Sequence, residues 1–184
     1  MRLLARLLVS FVILSAPLAA GGCSGGDAAS PDDNATADAL SSASGRTAFK
    51  FFVGKGLSEI QAAAIVGNLQ QESGVDPRSV QPGGPGRGIA QWSTGDRWNA
   101  KSHDNVLWYA AQQGESSSSL ELQLEFTWYE LESFDHYGLS ALKSASTISS
   151  AVNVFQRDFE ACGTCNASAR VRYANAALAA YGGG

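Results

Sequence analysis

The chain has 184 residues, with 13 Lys and Arg against 17 Asp and Glu, for a formal net charge of −4. With no basic stripe to meet phosphates, this acidic balance excludes a nucleic-acid-binding protein. Residues 46–184 lie within the common size range of a single hydrophobic core, and nothing in them repeats.

The first residues are an address. Arg2 and Arg6 flank the start of an apolar run from Leu7 to Leu14, and the small residues Ala16, Ala19 and Ala20 follow, which marks 1–22 as a secretory signal peptide. Crossing a bilayer needs roughly 20 apolar residues, so no permanent membrane span is expected. Ala20-Gly21-Gly22-Cys23 resembles a lipobox but lacks a Leu three residues before the cysteine. Lipidation of Cys23 is therefore expected narrowly ahead of plain cleavage near Ala20, which would leave Cys23 an incidental thiol. Residues 23–45 are Gly, Ala, Ser, Asp and Pro with a single Leu through most of their length, and read as a disordered tether. Residues 46–184 form the domain. Loss of Arg2 and Arg6 leaves 11 − 17 = −6 on the exported chain. Its location is extracytoplasmic, in the periplasm or envelope or secreted, with membrane contact only through Cys23.

Within the domain, Ile60, Ala63, Ala64, Val66, Gly67 and Leu69 recur at three- and four-residue steps after the N-cap candidate Ser58. The spacing predicts an amphipathic helix ending at Gly74. Its last turn carries Glu72, where the helix dipole disfavours a carboxylate, so Glu72 is not there for helix stability. From Val75 to Gly88, prolines and glycines exclude a regular helix and predict a long loop or short hairpin. Helical spacing returns over 106–113, 119–132, 138–143, 146–159 and 168–180. Cys162 and Cys165 sit in Cys-Gly-Thr-Cys after a helical stretch of an exported chain, which favours a small structural disulfide over redox catalysis. A closed zinc site wants four ligands, and His103 and His136 are far from these cysteines in sequence, so no metal is expected.

The run Gly67-Asn68-Leu69-Gln70-Gln71-Glu72-Ser73-Gly74, followed by the Gly/Pro loop and Gly88-Ile89-Ala90-Gln91-Trp92, resembles the phage tail lysozyme family. Gln123-Leu124-Glu125-Phe126, Glu130-Leu131 and Phe159-Glu160 extend the likeness over Ala48 to Tyr181. Glu-Ser followed by Gly-Ile-Ala-Gln is also similar to the catalytic motifs of goose-type lysozymes and soluble lytic transglycosylases. The resemblance implies an α+β, mainly helical, lysozyme-like fold with an irregular or hairpin region beside the cleft. It implies a muramidase, cutting the bond between N-acetylmuramic acid and N-acetylglucosamine in peptidoglycan glycan strands, with Glu72 as general acid, as a monomer without cofactor.

Glycosidic cleavage needs a carboxylic acid still protonated near neutral pH, so its surroundings must raise its pKa. Leu69 one turn back and the following loop are expected to wall Glu72 from water. Ser73 either orients Glu72 or caps the helix end. Gly88 is expected to let the backbone approach the glycan, Gln91 to hydrogen-bond it, and Trp92 to stack on a sugar or serve as core. Tyr173 and Tyr181 fit either the cleft or a closing helix. Asp76, Asp96, Glu130 and Glu160 are the candidates for a second carboxylate. With none, the substrate's own hydroxyl would close an anhydro ring, as in lytic transglycosylases. The rival from another class is a silent peptidoglycan-binding domain.

Overall fold

The computed structural model describes residues 43–163 and 165–183. The signal peptide, Cys23 and the tether up to residue 42 lie outside the described residues. The tether reading nevertheless overran its end: helix α1 (Ala43–Gly54) begins three residues before Arg46 and buries Gly45, Ala48, Phe49 and Phe52. Ala48, Phe49 and Phe52 fall on one face at helical spacing, which is enough apolar surface to fix the segment.

Helix α2 (Glu59–Ser73) is the axis of the domain. Ser58 accepts from the backbone N–H of Gln61, whose side chain answers on the Ser58 N–H, so a full capping box starts it. Gly74, at φ 69°, stops it in the left-handed region. The expected apolar stripe is exceeded, because every residue from Gln61 to Gln70 is buried. Such all-round burial requires neighbours on every side. They are α1, α6 (Ile148–Val154) and, most extensively, α7 (Ala167–Tyr181). Gly67 makes the last packing close: a Cβ there would sit 2.6 Å from the Ala174 nitrogen and the Arg170 carbonyl oxygen.

Between α2 and the next helix the chain makes the expected short hairpin. Strand β1 (Gly86–Arg87) pairs antiparallel with β2 (Trp92–Ser93), and Val80 bridges to Arg87. Helices α3 (Val106–Gln113), α4 (Leu120–Ser133) and α5 (Leu139–Ser144) follow, with a single 3₁₀ turn at Asp135–Tyr137. Asn105, Ser119 and Thr147 cap α3, α4 and α6. The helix expected over 146–159 is regular only to Val154, then widens into a π turn over Phe155–Phe159. The result is mainly helical with one small sheet, as the lysozyme-like reading requires. Among the described residues no helix is long and apolar enough to cross a membrane.

Candidate active site

The polar last turn of α2 is built around a cation from the far end of the chain. Arg170, on α7, forms a short ion pair through Nη2 with Glu72 Oε1. Its Nη1 donates to Asn68 Oδ1 at 3.0 Å and to the Asn68 carbonyl at 3.4 Å. Asn68, fully buried, is itself held by donating to the Ala64 carbonyl at 2.8 Å. The close approach of α7 at Gly67 therefore delivers Arg170 to Asn68 and Glu72. The apolar enclosure expected around Glu72 is only half present: Leu69 is buried, but the carboxylate itself meets Arg170, and the side chain is 20% exposed.

Ser73 neither caps the helix alone nor points at open solvent. Its hydroxyl donates to the Ile89 carbonyl at 2.8 Å and lies 3.3 Å from the Leu69 carbonyl, so it ties the end of α2 to the loop between the strands. Gln123, buried on α4, locks the same loop: it accepts from the Ile89 N–H at 2.9 Å and donates to the Pro77 and Ser117 carbonyls. Gly88, at φ 69°, faces this amide, and a Cβ would come 2.5 Å from Gln123 Oε1. Close approach of a glycan is thus not what demands Gly88; Gln123 is. Gln91, at φ 51°, turns its amide inward to the Gly88 carbonyl at 2.8 Å and Ser79 Oγ at 3.2 Å.

Trp92 is 2% exposed, with its ring edge-on to Phe126 and its Nε1 donating to Glu130 Oε2 at 3.0 Å. It has no free face for a sugar, which corrects the stacking reading. Trp128 belongs to the core. Tyr181 packs on Phe49 beneath Arg46 and closes α7 against α1 rather than reaching the cleft.

The candidate second carboxylates separate cleanly. Asp76 holds its own turn by accepting from the Arg78 N–H, and Asp96 is exposed at the cleft rim. Glu130, fully buried, takes a fork from Arg97: Nε to Oε1 at 2.6 Å and Nη2 to Oε2 at 2.8 Å. Burial pushes the Glu130 carboxyl up to about 7 against the pull of Arg97. Burial works the other way on Arg97, and Glu130 outweighs it, raising the guanidinium above its ordinary value; both shifts describe one buried pair. Arg97 also lies 4.5 Å from the ring centres of Tyr137 and Phe159 and donates to the Phe159 carbonyl at 2.9 Å.

That last bond fixes the residue before Glu160. The π turn closes with the Glu160 N–H on the Phe155 carbonyl at 3.1 Å, and Ala161 follows at φ 49°. Glu160 thereby lines a cleft of about 310 Å³ with Gln91, Trp92, Asp96, Arg97 and His136. Its Oε1 is sealed from solvent without a hydrogen-bond partner. Burial, and then the negative charge of Glu72, push the Glu160 carboxyl well above the usual carboxylate range, while Arg97 and Arg170 pull the other way. Neither Glu72 nor Arg170 lines this cleft; the end of α2 reaches its loop through the hydrogen bond from Ser73 to the Ile89 carbonyl. A larger groove of about 490 Å³ along Leu131, Leu139 and Lys143 contains neither residue. Of the sequence candidates, Gln91 and Trp92 meet Glu160 in the cleft, Ser73 and Gly88 are braces, and Cys162–Cys165 is a disulfide just beyond Glu160. Sequence reasoning missed Arg170, Asn68, Arg97 and Gln123. The signal for Arg170 was a lone cation in the small-residue face of α7 that opposes Gly67.

A helical bundle with a short hairpin against its central helix, and a carboxyl at that helix's end, defines a lysozyme-like domain. Comparison with family models matches residues 44–181 to phage tail lysozyme. The chain belongs to the phage tail lysozyme family. A comparison with curated proteins finds no match. Membership makes the domain a lysozyme-like enzyme of the glycoside hydrolase kind, directed at peptidoglycan and so acting outside the cytoplasm.

Proposed function

We propose that the domain is a muramidase that cuts the bond between N-acetylmuramic acid and N-acetylglucosamine, with Glu72 as the proton donor. The observation that carries this reading is the placement of Glu72: a carboxyl at the end of a buried helix, held by Arg170, which Asn68 anchors, on the helix end that Ser73 ties to the cleft loop. Donation to the leaving oxygen contributes typically 10²–10⁴-fold in such reactions. Zymography on purified cell walls tests the reading, since Glu72→Gln should abolish clearing while circular dichroism stays unchanged. Equal lysis by both proteins sinks it. Silent binding would instead give saturable wall binding by wild type with no released fragments.

Export by residues 1–22 and anchoring through Cys23 belong to the same reading, supported by the apolar run and Ala20-Gly21-Gly22-Cys23. Fatty-acid labelling should mark wild type and not Cys23→Ser; labelling of neither removes the anchor.

A further inference from the structure

We propose that the pocket between Arg78, Arg87 and Trp98 takes the acidic stem peptide that branches from the muramic acid sugars of peptidoglycan. The inference rests on the muramidase reading and adds to it a substrate preference, for glycan strands that still carry their peptides.

The pocket has a volume of about 210 Å³ and adjoins the loop that the cleft also uses. Gly88 lines the pocket, and Ala90 and Gln91, two and three residues on, line the cleft. A strand in the cleft carries each peptide as a side branch on the lactyl ether of a muramic acid. The branch needs a place beside the cleft, and this pocket is one loop away.

Its walls are fixed in advance. Gln123, fully buried, donates to the Pro77 carbonyl at 2.8 Å and to the Ser117 carbonyl at 2.7 Å, and accepts from the Ile89 N–H, next to Gly88, at 2.9 Å. One amide thus joins three walls of the pocket. Gln91 donates from the cleft side to Ser79 Oγ at 3.2 Å, so cleft and pocket share a brace. The backbone bonds from Gly88 to Ser79 and from Gln81 to Gly86, at 2.9 and 3.0 Å, hold Val80 between them, with 57% of that residue exposed. A ligand entering such a pocket orders little, which favours binding.

The charge selects the ligand. Arg78 and Arg87 line the pocket and no acidic residue does. Arg87 Nη1 is located by the Gly84 and Gly86 carbonyls at 3.0 and 2.7 Å, neutral acceptors that leave its charge uncompensated. Asp76 accepts from the Arg78 backbone N–H at 2.8 Å and makes no ion pair with the guanidinium. In a chain of net charge −4, two such cations at one pocket select an anion, and the planar guanidinium fork suits a carboxylate. The cleft is the opposite. Asp96, Asp158 and Glu160 line it, and its cations are already paired, Arg97 with Glu130 and Lys101 with Asp104. A stem carboxylate is therefore favoured in the pocket over the cleft. Val80 and the half-buried Trp98 offer apolar contact to the small side chains near the lactyl link.

The test uses full-length protein on soluble glycan strands with peptides intact, on strands stripped by an amidase, which keep the lactyl carboxylate, and on chitin oligosaccharides, which carry no carboxylate. Wild type should show a KM about tenfold lower on peptide-bearing than on stripped strands, the scale of one hydrogen-bonded charge contact. Arg78 is exposed and its side chain makes no hydrogen bond among the described residues, so Arg78→Glu should keep its melting temperature and erase that difference. Arg87→Gln should erase it too, and Arg87→Lys should restore part of it. Titration calorimetry with the same strands and Glu72→Gln protein should give the same ranking without turnover. Equal KM on peptide-bearing and stripped strands, or a preference that survives both arginine variants, overturns the inference and leaves the muramidase reading intact. A gain from chitin to stripped strands with none from the peptide also overturns it, assigning the pocket to the lactyl carboxylate. Wild type that cleaves none of the substrates overturns the muramidase reading instead, and the calorimetric ranking then decides the pocket alone.

Discussion

Glu130 and Glu160 are two carboxyls beside the same arginine, one fully buried and the other partly exposed on the cleft, and they have opposite fates. Arg97 forks onto both oxygens of Glu130, and Trp92 adds a third hydrogen bond. To Glu160 it offers only charge, while its remaining nitrogen donates to the preceding carbonyl. A closed set of partners makes a buried acid part of the scaffold, because every lone pair has an answer and the geometry has nowhere to go. Glu160 has no such fork and lines the cleft, so the two acids differ in what surrounds them and not in their chemistry.

The contrast can be broken by exchanging the consequences. Removing one partner of a buried ion pair strands the other, at a cost of about 3–5 kcal/mol. Glu130→Ala should therefore lose about that much stability in denaturant titration, with activity lost only as the fold is lost. Glu160→Gln should keep stability. A Glu130→Ala protein as stable as wild type erases the difference between the two regions.

Trp92 sharpens the same comparison at smaller scale. Trp92→Phe keeps the ring against Phe126 but removes the donor to Glu130 Oε2. A hydrogen bond to a charged group contributes about 1.5–3 kcal/mol, and that is the expected loss. Because the indole is buried, KM for glycan should hardly move. A large rise in KM with unchanged stability would restore Trp92 as a sugar platform. On the open side, Cys162 and Cys165 close a loop of sequence separation 3 directly after Glu160. For so short a loop the chain-entropy relation gives about 2 kcal/mol or less. Cys162→Ser should lose up to about that much stability, read as a lower melting temperature, and retain activity at low temperature. Abolished activity with unchanged stability favours thiol chemistry.

How much of this could be read beforehand follows the range of the interactions. Caps and periodicity are local, so Ser58 and Gly74 marked the ends of α2, and the spacing over 106–113 and 119–132 placed α3 and α4 within a residue or so. The α1 helix escaped because its first residues, Ala43 to Gly45, continue the small-residue composition of the tether, and only Ala48, Phe49 and Phe52 repay the ordering. Within the site, Glu72 was legible from its motif. Arg170 comes from 98 residues away, and its arrival depends on a contact at Gly67 that no periodicity reveals. Trp92 stayed open between sugar platform and core because exposure is a tertiary property: Glu130, 38 residues on, draws the indole inward. Sorting the four candidate second carboxylates needed the same information, since only packing tells an acid forked by Arg97 from one that lines the cleft.

The smallest expected effect is on stability as a function of pH, and both acids contribute with one sign. In an unfolded chain a Glu titrates near about 4.3. Burial raises Glu130 to about 7 and Glu160 well above the ordinary range. Between those values the folded protein holds protons that the unfolded chain has released, so folding takes up protons and stability falls as pH rises through the window. Asp104 does not offset this: although burial opposes it, hydrogen bonds from Lys101 and Tyr137 hold it below 3.8, and its loss of stability begins only under that pH. The melting temperature should therefore be a few degrees higher near pH 5 than near pH 8, on the scale of about 2–4 °C per kcal/mol for a domain of this size. Glu160→Gln should flatten part of the slope. Glu130 must account for the remainder, and a wild-type melting temperature that climbs from pH 5 to pH 8 means that Arg97 and Arg170 keep both acids ionised.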